Sequence, residues 1–180
     1  KLLGIEFPGG PQIEILAEKG DPIKYDLPKP IFNKGGCNLS FAGLKTAILK
    51  ITKTIKTEQE KFDLAASFQK TIEEILYKKT TIAFSEFEKH NNLKEKIFVV
   101  AGGVAANKKI RSMLVNLCKE NKYKSMFPPL ELCGDNAAMI AIVGLEKFKL
   151  KQFNDLDCPA KPRWPLDEKA VFLKGAGVKL

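Results

Sequence analysis

The stretch Ile97-Phe98-Val99-Val100-Ala101-Gly102-Gly103-Val104-Ala105-Ala106-Asn107-Lys108 decides the fold. Its apolar run follows the polar segment from His90 to Lys96 and predicts a buried strand. Past the paired glycine the apolar positions change to helical spacing, with Ile110, Met113, Leu114, Leu117 and Cys118 on one stripe. The glycines therefore mark a strand-to-helix corner. Two residues without a Cβ let the main chain approach a ligand closely, and a following helix offers free N–H groups and a positive dipole end to an anion. A Gly-Gly pair also simply makes a tight turn. Asn107 has the same double use, as a helix N-cap or as an amide that bonds a base, sugar or phosphate. Lys108, Lys109 and Arg111 place cations against the dipole at roughly 0.3 kcal/mol each. A neighbouring anion would offset that cost, while solvated basic surface is the plainer account of any one of them.

Working outward, Tyr123 to Phe127 predicts a second strand, stopped by Pro128-Pro129. Gly134-Asp135-Asn136 then opens a helix from Ala137 through Val143 that is apolar nearly all round, so it is expected to be buried. Strand, glycine corner, helix, strand, polar turn and helix describe one half of an α/β nucleotide-binding fold. Asp135 is either the cap of that helix or a metal ligand or phosphate neighbour, since a carboxylate beside an anion site is useful only with a cation between them.

Upstream, Thr57 and Glu60 form a capping-box pattern ahead of a long helix through Leu64, Phe68, Ile72, Ile75 and Leu76 to Phe84, ending near Asn91-Asn92. Leu44, Ala47, Ile48, Ile51 and Ile55 give helical periodicity after Gly43, and Asn38 to Phe41 reads as a short strand. Pro8-Gly9-Gly10-Pro11 turns into a short helix with Gly20 past its end, and a proline-rich connector runs from Pro22 to Pro30. The tail from Asp155 looks irregular. The expected organisation is a helical and connecting segment over 1–96, a nucleotide-binding core over 97–150 and a tail over 151–180.

A chain of 180 residues can bury roughly 70% of its extended surface, enough for a true core. Hydrophobic residues at 44% and charged residues at 28% fit a soluble globular protein, and no apolar run nears the roughly 20 residues of a membrane span. Cys37, Cys118, Cys133 and Cys158 lack C-x-x-C spacing, which points to reduced structural thiols and a cytoplasmic setting rather than a zinc knuckle. The net charge of +9 suits a nucleic-acid partner, but Arg111 and Arg163 are the only arginines. Dispersed lysine is also what an A+T-rich genome produces, and lysine lacks the fork that reads bases. His90, the only histidine, ends a polar helix and is expected to be exposed.

Five ordered blocks then carry a resemblance. Pro8-Gly9-Gly10-Pro11 after Leu2-Leu3-Gly4, the block Leu39 to Thr46, Asp63-Leu64-Ala65-Ala66-Ser67-Phe68-Gln69, the block Ala101 to Asn107, and Cys133 to Ala141 are similar to the TsaD/Gcp family of tRNA threonylcarbamoyladenosine transferases. Pro162 to Asp167 resembles the tail of some bacterial members. Only the C-terminal half of such a protein is resembled, and the opening at Lys1 looks cut from a longer polypeptide. The resemblance implies a ribonuclease-H-like lobe of the actin-like, sugar-kinase (ASKHA) fold with added helices. It implies transfer of a threonylcarbamoyl group from threonylcarbamoyl-AMP to the N6 amine of the adenosine beside the tRNA anticodon.

By position, the resemblance implies that Gly10 contacts the nucleoside, Glu14 faces the ribose hydroxyls, Gly102 and Gly103 approach the phosphate, and Asn107 holds the nucleotide. Asp135 would be a ligand of one active-site iron or zinc. Implied partners are tRNA, the missing N-terminal half, and TsaB-like and TsaE-like subunits; no membrane is implied. The family's two histidine ligands are absent here, and His90 matches neither, so the isolated chain is expected to be inactive. Other classes stay open at this stage: a noncatalytic interaction protein, or an actin-like ATPase or small-molecule kinase. No residue of this chain is assigned a catalytic role.

Overall fold

The computed structural model describes residues 2–157 and 160. The Pro162 to Asp167 block, Arg163 and Cys158 lie outside the described residues. In chain order the elements are α1 (Gly9–Ala17), α2 (Leu44–Thr52), α3 (Glu58–His90), β1 (Ile97–Val99), a 3-10 turn (Gly103–Ala106), α4 (Lys108–Glu120), β2 (Lys124–Met126), a second 3-10 turn (Leu130–Leu132) and α5 (Ala137–Lys149). They divide into two compact units, Lys1–Gly134 and Asp135–Leu180.

The first unit is organised on α3, whose 33 residues extend roughly 50 Å. Its start is fixed by both halves of the predicted capping box. Thr57 Oγ1 accepts from the Glu60 N–H at 3.2 Å, and Glu60 Oε2 accepts from the Thr57 N–H at 2.9 Å and the Lys56 N–H at 2.7 Å. Those two backbone donors, Lys56 foremost, hold the Glu60 carboxyl below its ordinary value. The helix ends at Asn91 and His90 is exposed, both as the sequence indicates.

Two apolar clusters lie along this helix. One joins Leu64 to Leu27 of the connector and Leu44 of α2. The other joins Phe84 to Ile110, Leu114, Leu117 and Cys118 of α4 and to Tyr123, with Met113 packed against it. The predicted α4 stripe is thus the face that α4 buries. Phe84 and Tyr123 stack at 3.9 Å between centroids. Burial pushes the Cys118 thiol up, as suits an inert core cysteine. Among the described residues Cys37, Cys118 and Cys133 are all free thiols.

The connector is tied to α3 by polar side chains that α3 itself buries. Asp63 accepts from the Asp21 N–H at 2.8 Å, Ser67 Oγ accepts from the Tyr25 N–H at 3.1 Å, and Lys79 Nζ donates to the carbonyls of Lys34 and Gly36 at 2.8 and 3.2 Å. Each bond satisfies a backbone group that the irregular connector cannot pair with itself. Gly20 sits where α1 meets α3: a Cβ there would lie 2.0 Å from the Phe62 carbonyl oxygen. Only glycine permits that approach of two backbones.

Strands β1 and β2 pair in parallel, with Ile97 opposite Lys124 and Val99 opposite Met126, joined by α4 as the crossover. Three expectations need correction. Strand β1 is not buried: Phe98 and Val100 face the α4 cluster, while Ile97 and Val99 are 49% and 65% exposed, because only one face of the sheet is covered. Asn38 to Phe41 is extended but pairs with nothing among the described residues, so it forms no strand. The second unit's α5 is apolar as expected but exposed along its whole length, with Ile140 at 67%. An apolar helix face calls for a partner, and among the described residues of its own unit α5 has the Phe153 ring, edge-on to Phe148 at 5.9 Å.

Candidate functional site

A cleft of about 830 Å³ opens in the first unit among α1, α2, α3 and the segment from Gly103 to Ile110. Its deep wall is apolar, with Leu44 and Ile48 from α2 and Phe68, Ile72 and Leu76 from α3. Its polar edge is Gly10, Glu14, Gln69, Gly103 and Asn107. Four of the residues singled out from the sequence, Gly10, Glu14, Gly103 and Asn107, thus share one wall. A Cβ added at Gly10 or at Gly103 would meet no atom within 4 Å, so both glycines face open space rather than packed protein.

Gly102 is not part of that wall. Its φ of 94° and ψ of 169° are open to glycine and strained for other residues, so its glycine is required by the backbone path out of β1. The handover to a helix also differs from the expectation. A 3-10 turn stands between the glycines and α4, closed by the Ala105 N–H donating to the Gly102 carbonyl at 2.9 Å. The N-terminus of the α-helix lies at Asn107 and Lys108, four residues beyond the glycine pair.

That N-terminus is closely tied. Asn107 is its cap, the Oδ1 accepting from the Ile110 N–H at 3.0 Å. The Lys108 N–H donates to Glu14 Oε1 at 2.7 Å, joining residues 94 apart in sequence. A carboxylate at a helix N-terminus is favoured by the dipole and by the unpaired N–H groups. Glu14 therefore holds α1 against α4, and its second oxygen remains for other partners. The Asn107 Nδ2 donates to Gln69 Oε1 at 2.9 Å. Gln69 is buried on α3. Burial raises the Glu73 carboxyl above its ordinary value, against the charge of nearby Lys109 and the Gln69 amide.

Arg111 is not solvated basic surface. Its Nε donates to the Ala105 carbonyl at 3.0 Å, its Nη2 to the Pro128 carbonyl at 3.2 Å and to Cys133 Sγ at 3.5 Å, and its guanidinium stands 4.7 Å over the Phe127 ring. It clamps the 3-10 turn after the glycines to the segment that ends at Gly134. Asp135 is exposed at the start of the second unit, and it is not the cap of α5. Asn136 is, its Oδ1 accepting from the Met139 N–H at 3.0 Å. Among the described residues no three His, Cys, Asp or Glu side chains gather to hold a metal. One carboxylate is too small a donor set for iron or zinc, so the described residues do not by themselves fit the metal that the resemblance implies.

Gln69 and Arg111 were not singled out as site residues from sequence. Gln69 had one signal, a long polar side chain amid the apolar positions of α3. Arg111 had none, since a lysine-rich first turn hides the one arginine that turns inward.

Comparison with known proteins places the sequence in a family. The family model of TsaD, tRNA N6-adenosine threonylcarbamoyltransferase, matches residues 1–142. The chain belongs to the TsaD family. It is similar to the tRNA N6-adenosine threonylcarbamoyltransferase of Pelagibacter ubique, with 77% identity over all 180 residues, which is 50% of that protein. It is 48% identical over 171 residues to the protein of that name from Rickettsia conorii, covering 93% of this chain and 50% of the relative. The corresponding Caulobacter vibrioides protein is 44% identical over 176 residues, 98% of this chain and 48% of the relative. The chain thus spans about half the length of the curated relatives it matches. No helix among the described residues is long and apolar enough to cross a membrane.

Proposed function

We propose that this chain is the C-terminal part of a cytoplasmic tRNA N6-adenosine threonylcarbamoyltransferase, forming a ribonuclease-H-like lobe of the actin-like fold with its nucleotide-binding core at 97–150. The observation that carries the proposal is the shared wall of Gly10, Glu14, Gly103 and Asn107 beside a large apolar cleft. The donor is threonylcarbamoyl-AMP. Its adenine takes the apolar surface of Phe68 and Ile72, with Gly10 leaving room for the nucleoside. The free carboxylate oxygen of Glu14 accepts from the ribose hydroxyls. The phosphate lies along Gly103, and the second Nδ2 proton of Asn107 is available to it.

The reaction is acyl transfer. The N6 amine of the tRNA adenosine attacks the carbamoyl carbonyl, the bond to the phosphate oxygen breaks, AMP departs and the amine releases a proton. This chain supplies orientation of the donor and a fixed dipolar surface under the leaving phosphate, both of which lower a barrier only when held rigid. The Glu14 to Lys108 bond, the Asn107 cap and the Arg111 clamp supply that rigidity. In the complete protein Asp135 would supply one ligand to an iron or zinc, with the remaining ligands coming from the other half. The lobes meet tRNA and TsaB-like and TsaE-like subunits.

Reconstitution tests the proposal. This chain, co-expressed with the half of the Pelagibacter ubique relative that it does not cover, is expected to convert tRNA adenosine to its threonylcarbamoyl form when given threonylcarbamoyl-AMP. Either half alone is expected to give none. A reconstituted pair that binds AMP but never modifies tRNA would reject the transferase assignment while leaving the nucleotide cleft standing.

A further inference from the structure

The polar edge of the cleft contains a chain of amides whose orientations are determined one after another. The Ile110 N–H can only donate, so the Asn107 atom that meets it at 3.0 Å is the oxygen. The other end of Asn107 is then the NH₂ group, and the Gln69 atom 2.9 Å away must be an oxygen. The far end of Gln69 is therefore its own NH₂, with Glu73 one helical turn further along α3. Gln69 is 8% exposed, and among the described residues its side chain makes no other hydrogen bond that would impose the opposite flip.

We propose that Gln69 is a positioning residue for nucleotide binding. Through its Oε1 it holds the Asn107 amide with one Nδ2 proton engaged and the second directed to the ligand. This inference rests on the adenylate reading of the cleft. Without Gln69, the cap bond alone leaves Asn107 free to rotate about its side-chain torsions, and it meets the ligand at an entropic cost. Gln69 touches neither the reacting atoms nor the bond that breaks, so its effect falls on binding rather than on chemistry.

The test compares Gln69→Leu, which keeps the bulk and removes both amide groups, with Gln69→Glu made together with Glu73→Gln, which keeps the acceptor toward Asn107 without setting two carboxylates one turn apart. AMP is titrated calorimetrically into each variant of the 180-residue chain. KM and kcat for threonylcarbamoyl-AMP are measured in the reconstituted pair. Circular dichroism melts check folding. Gln69→Leu is expected to weaken AMP roughly tenfold, the worth of one lost hydrogen bond, and to raise KM with kcat nearly unchanged. The double variant is expected to recover most of the affinity. Equal AMP affinity in wild type and Gln69→Leu would overturn the proposal, as would a double variant no better than leucine. Failure of the adenylate reading looks different: the wild-type chain itself takes up no AMP, Asn107→Ala changes nothing, and both inferences fall together.

Discussion

Replacing Gly20 by alanine should damage stability and the candidate site together. The new Cβ would stand 2.0 Å from the Phe62 carbonyl oxygen, 2.2 Å from its carbonyl carbon and 2.6 Å from the Asp63 nitrogen. Carbon contacts are comfortable near about 3.5 Å, so the backbones must part by roughly 1.5 Å. The obstacle is the main chain of α3 in mid-helix, which cannot swing aside, so residues 18–21 must retreat. That retreat pulls the Asp21 N–H from Asp63 and the Lys19 carbonyl from Gln59, bonds of 2.8 and 3.2 Å. Overpacking of this kind costs about 2 kcal/mol and an orphaned buried acceptor about 1 kcal/mol more. For a chain of this size the sum of roughly 3 kcal/mol lowers Tm by roughly 6 to 12 °C. A calorimetric or circular-dichroism melt reads the shift. Because α1 also carries Gly10 and Glu14, the same variant should bind AMP more weakly. A Tm within about 2 °C of wild type would refute the close approach of the segment after α1 to α3.

Asn107→Ala should remove the α4 cap and the Gln69 bond, costing about 1 to 2 kcal/mol in urea denaturation at unchanged slope. Arg111→Lys keeps the charge but not the fork, so it cannot bond Ala105, Pro128 and Cys133 together; a loss of about 2 kcal/mol is expected, with faster amide exchange over 102–106 and 128–133. The Asp63 carboxyl is held below its ordinary 3.8, first by the Asp21 N–H and then by the Gln59 amide. Its folded value is depressed, so its stabilisation is present above 3.8 and lost as pH falls through the lower folded value. Asp63→Asn, which retains an acceptor, should flatten that acid limb in melts taken across the range. Glu73 runs the other way. Burial raises it above 4.5, so stability falls as pH rises through its folded value, and Glu73→Gln should abolish that decline.

What the sequence made legible was what local chemistry controls. The Thr57–Glu60 box, the Asn107 cap and the α4 stripe each depend on residues three to seven apart, and each stands where the pattern put it. The candidate site was legible in its residues but not in its connections. Nothing near Glu14 in sequence announces a bond to Lys108, and the partner of Asn107 comes from an α3 position that reads as one polar residue in an apolar run. Tertiary placement also settled where pattern misled. Asn38 to Phe41 has strand character but no strand to pair with. The apolar runs of β1 and α5 announced burial that the described residues supply on only one face of β1 and nowhere on α5. Hydrophobic pattern records what a segment needs covered, and says nothing of what covers it.

The most direct measurement is an AMP titration of the isotope-labelled chain followed by amide chemical shifts. The account predicts that Gly10, Gly103, Asn107 and Lys108 shift together along one saturation curve, and that the curve moves to higher concentration in Asn107→Ala. Saturating AMP that leaves these four amides unmoved, or that moves only residues away from the cleft, would contradict it.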